Sequence, residues 1–280
     1  MTTISAQTIL RSRNAAAPDK VLSTLLLRYP RFIHAEVMTH RVFSRNAASS
    51  RAIPFEKQVA AMLNEPAFPI FWGKNQKGMR ADEEIADNSI VKYIWQRAME
   101  QAVGSARILH EQGLHKALVN RIIEPFTHMV CLVSATEWDN FLELRDHPDA
   151  EPHIQMLARE IRKCLEDEST IQTLYPGEWH LPFVQSEDHN TLADNIKLSV
   201  ARCASTSYKT VDGFDMTLDR AIALHDKLVS SKPIHASPAE HVAQADDYGE
   251  EYHDGLGAGW EHPNQHGNFV GFCQYRHILT

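Results

Sequence analysis

Residues 20–28 are rich in leucine and run into Arg28-Tyr29-Pro30, and this junction constrains the fold more than any other stretch. Proline fixes φ and has no backbone donor, so a strand ends there, whereas the first turn of a helix accepts it. The pattern predicts a strand over 20–28, a second over 3–11, and a helix from Pro30 that carries Phe32, Ile33, Val37 and Met38 towards the core. The end of that helix delivers His40 and Arg41 to a polar loop. Pro54 closes the loop, and Phe55 to Leu63 reads as a short helix.

Residues 64–81 mix prolines, glycines and aromatics without period, as an ordered surface loop does. From Ala81 to about Glu168 the pattern is helical. Val91, Ile94, Trp95, Ala98, Ala102, Ala106 and Leu109 recur in steps of three and four, an apolar stripe on one face. Gly113 and Pro125 interrupt, and Phe126 to Arg145 reads as the most apolar helix, buried in the core. Ile154, Leu157, Ile161 and Leu165 mark a further amphipathic helix. Tyr175-Pro-Gly177 is a turn, and helices are expected over 187–205 and 217–230. Residues 245–268 read as a long loop, which a lid would also fit, and 269–279 as a final strand. The chain therefore reads as α+β: one helix-rich domain over 1–280, packed on a small mixed or antiparallel sheet.

Composition narrows the function. With 43% hydrophobic and 23% charged residues the chain is an ordinary globular one. No apolar run approaches the ~20 residues that span a bilayer, and the start lacks the pattern of a signal peptide, so a cytoplasmic protein away from membranes is expected. A formal charge of -8 argues against nucleic acid as a partner. Cys131, Cys164, Cys203 and Cys273 are isolated, which gives neither a disulfide framework nor a thiolate zinc site. None sits in a polar, cationic loop suited to thiolate formation. The sixteen histidines show no H-E-x-x-H spacing, so no metal site is expected. Gly-Leu-Gly-Ala-Gly at 255–259 lacks the spacing of a dinucleotide fingerprint.

Against this acidic background one segment is basic. Arg28, Arg31, Arg41, Arg45 and Arg51 fall together with a single acid, Glu36, among them. Within that run His40, Arg41, Ser44, Asn46, Ser49 and Arg51 lie close in sequence. Guanidinium forks fit phosphates and carboxylates bidentately, and short polar side chains between them admit a ligand to the backbone. The segment reads as an anion cradle for a nucleotide phosphate or a dinucleotide cofactor. The alternative is a set of surface arginines on a helix and the loop that follows.

The stretch resembles the RHRxxSxNxxSxRY signature of the flavin-dependent (alternative) thymidylate synthases, matching at His40, Arg41, Ser44, Asn46, Ser49 and Arg51. Further segments are similar to the same family. Arg121-x-x-x-Pro125 and Asn140-Phe-Leu-Glu-Leu-Arg145 resemble its R-x-x-x-P and N-F-L-x-L-R helices. Ala201-Arg-Cys-Ala-Ser-Thr-Ser-Tyr208 and His235-Ala-Ser-Pro-Ala-Glu-His241 resemble its A-A-R-V-S-Y and H-x-S/T-P-F-E-H segments. In ordinary members the last two precede the signature. Here they follow it, which implies a circularly permuted order.

The resemblance implies FAD as cofactor, NADPH and methylenetetrahydrofolate as co-substrates, conversion of dUMP to dTMP, and assembly as a homotetramer. It places His40, Arg41, Asn140, His235, Ser237 and Glu240 at the flavin. Glu36, Ser49, Ser50, Arg51, Arg121 and Arg145 fall at the nucleotide, and Arg145 favours ionisation of the uracil ring. Departures from the pattern are Thr39 for the first arginine, Ala52 for the tyrosine, Ala47 for a glutamate, Glu36 for a glutamine, and Ser134-x-Thr136 for Asn-x-Arg. They leave two alternatives open. One is a related flavin-dependent C5-methylase or hydroxymethylase acting on UMP or dCMP, and the other is a non-catalytic nucleotide-binding relative.

Overall fold

The computed structural model describes residues 3–78, 81–206, 216–232, 234, 237–252 and 257–280. In chain order the elements are β1 (Ser5–Asn14), β2 (Ala17–Pro30), α1 (His34–Val37), β3 (Ser44–Ala47), α2 (Phe55–Asn64), α3 (Ser89–Glu111), α4 (Lys116–Ile123) and β4 (His128–Ala135). There follow α5 (Asp139–Arg145), α6 (Pro152–Glu166), β5 (Ile171–Leu174), β6 (Trp179–His180), α7 (Leu192–Ser205), α8 (Leu218–Ser230), β7 (Ala243–Ala245), β8 (Tyr248–Gly249), β9 (Gly259–Trp260), β10 (Phe272–Gln274) and α9 (Tyr275–Ile278). The architecture is α+β. No helix among the described residues is long and apolar enough to cross a membrane.

The main sheet runs β3-β4-β2-β1-β5, antiparallel except where β5 joins β1 in parallel, so it is mixed. The leucine run of β2 follows from burial on both faces. Leu25 and Leu27 join Ile154, Leu157 and Ile161 of α6 in the largest core cluster. Leu26, pointing the other way, packs with Leu132 of β4 and Cys203 of α7.

β4 corrects the expectation of a helix over Phe126 to Arg145. Its run Met129-Val-Cys-Leu-Val is continuous because helices cover both faces, and periodicity alone cannot separate such a run from a buried helix. Only α5 at the end of that stretch is helical.

Other differences are smaller. Ile33 and Val37 are buried as expected, but Met38 is exposed. The polar loop contains an edge strand, β3, and the tail contains the β8–β9 hairpin. The final strand is short, with β10 giving way to α9. The helix expected from 187 begins at Leu192, capped by Thr191. On α3 the covered face is Met99, Val103 and Ala106, packed on α2 and α4, while Ile94 is 59% exposed. Val91 and Trp95 of the expected stripe are half-buried, with Trp95 packed on Phe32, Trp72 and Phe126, while Ala98 and Leu109 are exposed like Ile94.

A chain of buried hydrogen bonds crosses the middle of the sheet. Ser12 Oγ meets His180 Nδ1 at 2.7 Å, and His180 Nε2 meets Thr24 Oγ1 at 2.8 Å. Thr24 pairs with Ser134 at 2.6 Å, and Ser134 with His241 Nδ1 at 2.9 Å. Burial drives both imidazoles from the ordinary 6.5 down to about 3, so both are neutral at pH 7. In the unfolded chain they take up protons near 6.5, whereas the folded chain resists until about 3. The unfolded state thus binds more protons across that window, and stability falls as the pH drops through it. Denaturant midpoints measured between pH 7 and pH 4 are expected to fall steadily. Replacing His180 by Gln should flatten the slope.

Candidate active site

The sheet sets out the signature segment in two parts. α1 ends at Val37, and the following turn is closed by Thr39, whose N–H and hydroxyl both donate to the carbonyl of Glu36, the latter at 2.7 Å. His40 turns inward, 7% exposed, its ring stacked on Phe43 and edge-on to Phe141 of α5. Arg145, at the end of α5, donates from Nε to His40 Nε2 at 2.9 Å and from NH2 to Thr39 Oγ1 at 3.2 Å. His40 Nε2 is therefore an acceptor and the ring is neutral. Burial first, then the charges of Arg145 and Arg45, lower its pKa to about 4.

This arrangement explains the departure at Thr39. An arginine there would set a second guanidinium against Arg145, whereas threonine offers an oxygen that can accept from it. Glu36 lies close enough to feel the Arg145 charge. Its carboxyl is raised by burial and by Glu151, and Arg145 and His153 oppose that rise.

The second part begins after β3 and forms the loop 48–54. α4 grips this loop with three side chains spaced one helical turn apart. Lys116 Nζ donates to Ala52 O, and Asn120 Nδ2 to Ser50 O at 2.7 Å and Ile53 O at 3.0 Å. Glu124, just past α4, accepts from Ser50 Oγ at 2.6 Å and pairs with Arg31 at 2.9 Å. Arg121 lies near enough to lower the pKa of Arg31, after the larger effect of burial. Ser49 is half-buried, Ser50 is buried, and Arg51 is exposed.

The residues expected at the flavin are spread around β3 and α5. Arg41 and Asn140 are exposed, and neither makes a side-chain hydrogen bond among the described residues. Ser237 is exposed, and Glu240 pairs with Arg276. His235 lies outside the described residues, as does Tyr208. Ser134, standing where the pattern has an asparagine, is locked in the buried chain between Thr24 and His241. Thr136 accepts from the backbone of Val270 at 3.0 Å.

The segments that follow the signature in sequence nevertheless meet it in space. Asn46 Nδ2 donates to Cys203 O at 2.7 Å. Gln274 Nε2 reaches Ser44 Oγ, Asn268 Oδ1 and Glu240 O, and Asn268 Nδ2 reaches Val42 O at 2.7 Å. The residues 237–240 therefore sit beside β3 through Gln274.

Sequence reasoning missed Arg31, Asn120, Glu124, Asn268 and Gln274 as parts of this site. Glu124 stood inside the R-x-x-x-P spacing, and Arg31 was counted only as charge. The two tail residues carry no local signal. An apolar groove of about 490 Å³ between Phe71, Trp72 and the Ile94 and Trp95 side of α3 includes no signature residue.

Thiol chemistry gains no support. Burial pushes Cys131 up to about 12 and Cys273 up to about 12, and it raises Cys203 as well. Among the described residues, ligand-type side chains gather in two overlapping groups, Asp246 with His266 and Cys273, and Asp246 with Glu261 and His262. Asp246 accepts from His262 Nδ1 at 3.0 Å and meets His266 Nε2 at 2.8 Å. Gly271 N–H points at His266 Nδ1, which leaves the proton on Nε2 facing the carboxylate. The cluster is a hydrogen-bonded anchor for the tail.

A family model described as Thymidylate synthase complementing protein matches residues 6–169, more than half of the chain. The chain belongs to that family. The match covers both parts of the signature, α4 and α5, and ends before α7. In this member of the thymidylate synthase complementing proteins, the contacts of Asn46 and Gln274 bring the later segments to the matched region. No curated protein matches the chain. Among solved structures, a UMP/dUMP methylase, PolB from Streptomyces cacaoi bound with 5-Br UMP, is 17% identical with a TM-score of 0.47. That comparison covers 61% of this chain and 91% of that one. The same methylase bound with 5-Br dUMP is 16% identical with a TM-score of 0.47, over 61% and 92%. Likeness at that level decides neither fold nor chemistry, and the family membership rests on the matched segment.

The grip of α4 on loop 48–54 has a measurable strength. Replacing the fully buried Asn120 by Ala leaves two loop carbonyls without their donor and should cost about 1–3 kcal/mol of stability. Urea denaturation would show that loss, and hydrogen exchange of the amides at 50–53 should quicken.

Proposed function

We propose that the chain is a flavin-dependent thymidylate synthase that converts dUMP to dTMP, with methylenetetrahydrofolate as one-carbon donor and NADPH as reductant. The observation that carries this reading is the fixed guanidinium of Arg145, held by a neutral His40 and by Thr39. A half-buried guanidinium held by neutral acceptors keeps charge for a ligand, with Glu36 near enough to offset part of it. Set against the imide edge of a uracil ring, it stabilises the anionic base and makes C5 a stronger carbon nucleophile. No protein nucleophile is then needed, in keeping with buried, protonated cysteines.

Ser49, Ser50, Arg51 and Arg121 would receive the 5′-phosphate, where the side chains around Ser50 already show an affinity for an oxyanion in their hold on Glu124. The residues present fit FAD in part. Arg41, Asn140 and Ser237 have exposed donors suited to an anionic dinucleotide, whereas His40 already gives its lone pair to Arg145. Bound FAD would supply the electrons and carry the one-carbon unit to the nucleotide. We take residues 1–280 as one domain and the assembly as a homotetramer. In a single chain Arg41, Arg51 and Asn140 lie open, as does the Ile90, Tyr93 and Ile94 face of α3.

Glu36, beside Arg145, favours a second nucleotide as the competing reading, because an acid there changes which base edge is welcome. Titrating FAD-loaded protein with dUMP, UMP and dCMP while recording the flavin spectrum separates the two. Saturable perturbation by dUMP alone is expected, and a preference for UMP or dCMP would replace thymidylate synthesis with a related C5 alkylation. Arg145→Ala should lower kcat about a hundredfold or more while flavin stays bound. Undiminished turnover in that variant would remove Arg145 from the mechanism.

A further inference from the structure

The seat that an incoming phosphate would take is already filled by a carboxylate of the chain itself. Glu124 Oε1 accepts from Ser50 Oγ at 2.6 Å and from Arg31 at 2.9 Å. The side chain of Glu124 is 23% exposed and that of Arg31 is 15% exposed, so the pair is partly open to solvent. The carbonyl of Glu124 is fixed by the N–H and hydroxyl of Thr127. Asn120 holds Ser50 from behind. The carboxylate is built into the cradle.

We propose that Glu124 is a specificity-determining residue that makes the cradle select a phosphomonoester over a diphosphate. This rests on the reading above, that Ser49, Ser50, Arg51 and Arg121 receive the phosphate end of a nucleotide. Arg31, Arg51, Arg121 and the Lys116 ammonium at the same loop bring positive charge to the region, and Glu124 brings one negative charge. A phosphomonoester carries about -1.5 to -2 at pH 7. A second phosphoryl group adds further negative charge, and it adds it beside the Glu124 carboxylate. Like charges so placed repel across a partly desolvated gap. The same carboxylate keeps Arg31 and Ser50 in place before substrate arrives, so selectivity and preorganisation come from one group.

The test is titration calorimetry of the full chain, wild type and Glu124→Gln, with dUMP, dUDP, deoxyuridine, inorganic phosphate and pyrophosphate. Glutamine keeps the shape and the acceptor for Ser50 while removing the charge. The wild type is expected to prefer dUMP to dUDP, and phosphate to pyrophosphate, by about tenfold, with both preferences lost or reversed in Glu124→Gln. Deoxyuridine binding should not change. Equal affinity for mono- and diphosphate in the wild type, or an unaltered preference in the variant, overturns the proposal. If dUMP binds no better than deoxyuridine, the nucleotide reading fails, and the phosphate to pyrophosphate ratio still judges Glu124. Should Glu124→Gln unfold, Glu124→Asp retains the charge and must retain the preference, and its loss there would count equally against the proposal.

Discussion

The pairing of β2 with β4 governs everything near the site. Ser23 lies opposite Ala135 and Pro30 opposite His128, without a bulge between. That register fixes where β4 ends and α5 begins, and hence where Arg145 stands. It also fixes the other edge of β4, on which β3 aligns Ser44 with Ser134. A slip of one residue would turn Leu25 and Leu27 away from α6 and pull Thr24 out of line with Ser134. Hydrophobic burial on both faces and the Thr24–Ser134 hydrogen bond exclude such a slip together.

Electrostatics around the signature follow a division of labour. At one end the Arg145 guanidinium is held by neutral groups, with Glu36 near enough to offset part of its charge. At the other end guanidiniums are partly neutralised by Glu124, so the field is moderated. β3 separates the ends and carries short polar side chains that face the tail. The charge that matters is local.

Much of this was legible in the sequence for plain physical reasons. Pro30 ends its strand because it has no donor for the ladder, and the leucines before it require a strand buried on two sides. The polar segment from Thr39 to Arg51 stood out because its composition differs from that of the rest of the chain. The β4 run was not legible, since Met129 to Val133 shows no alternation when both faces are covered. The face of α3 was misjudged because periodicity gives the stripe but not how much of it neighbours reach. Arg145 was read from its motif, yet its grip on His40 and Thr39 depends on α5 meeting α1 in space. Asn268 and Gln274 act on Val42 and Ser44 from more than two hundred residues away, and no spacing rule sees that far.

The same long reach has a consequence in time. Asn46 bonds a carbonyl 157 residues later, and Ser44 a side chain 230 residues later. A ribosome adding ~5–20 residues per second leaves β3 without its last partner for roughly ten to fifty seconds after its own synthesis. Through that interval β3 is an unguarded sheet edge, and Arg45 at its centre discourages strands of other chains from adding there. Synthesis that stopped after α6 would leave Arg145 in place on a sheet whose signature strand had nothing to close against it. The site is finished last, although its signature is made first.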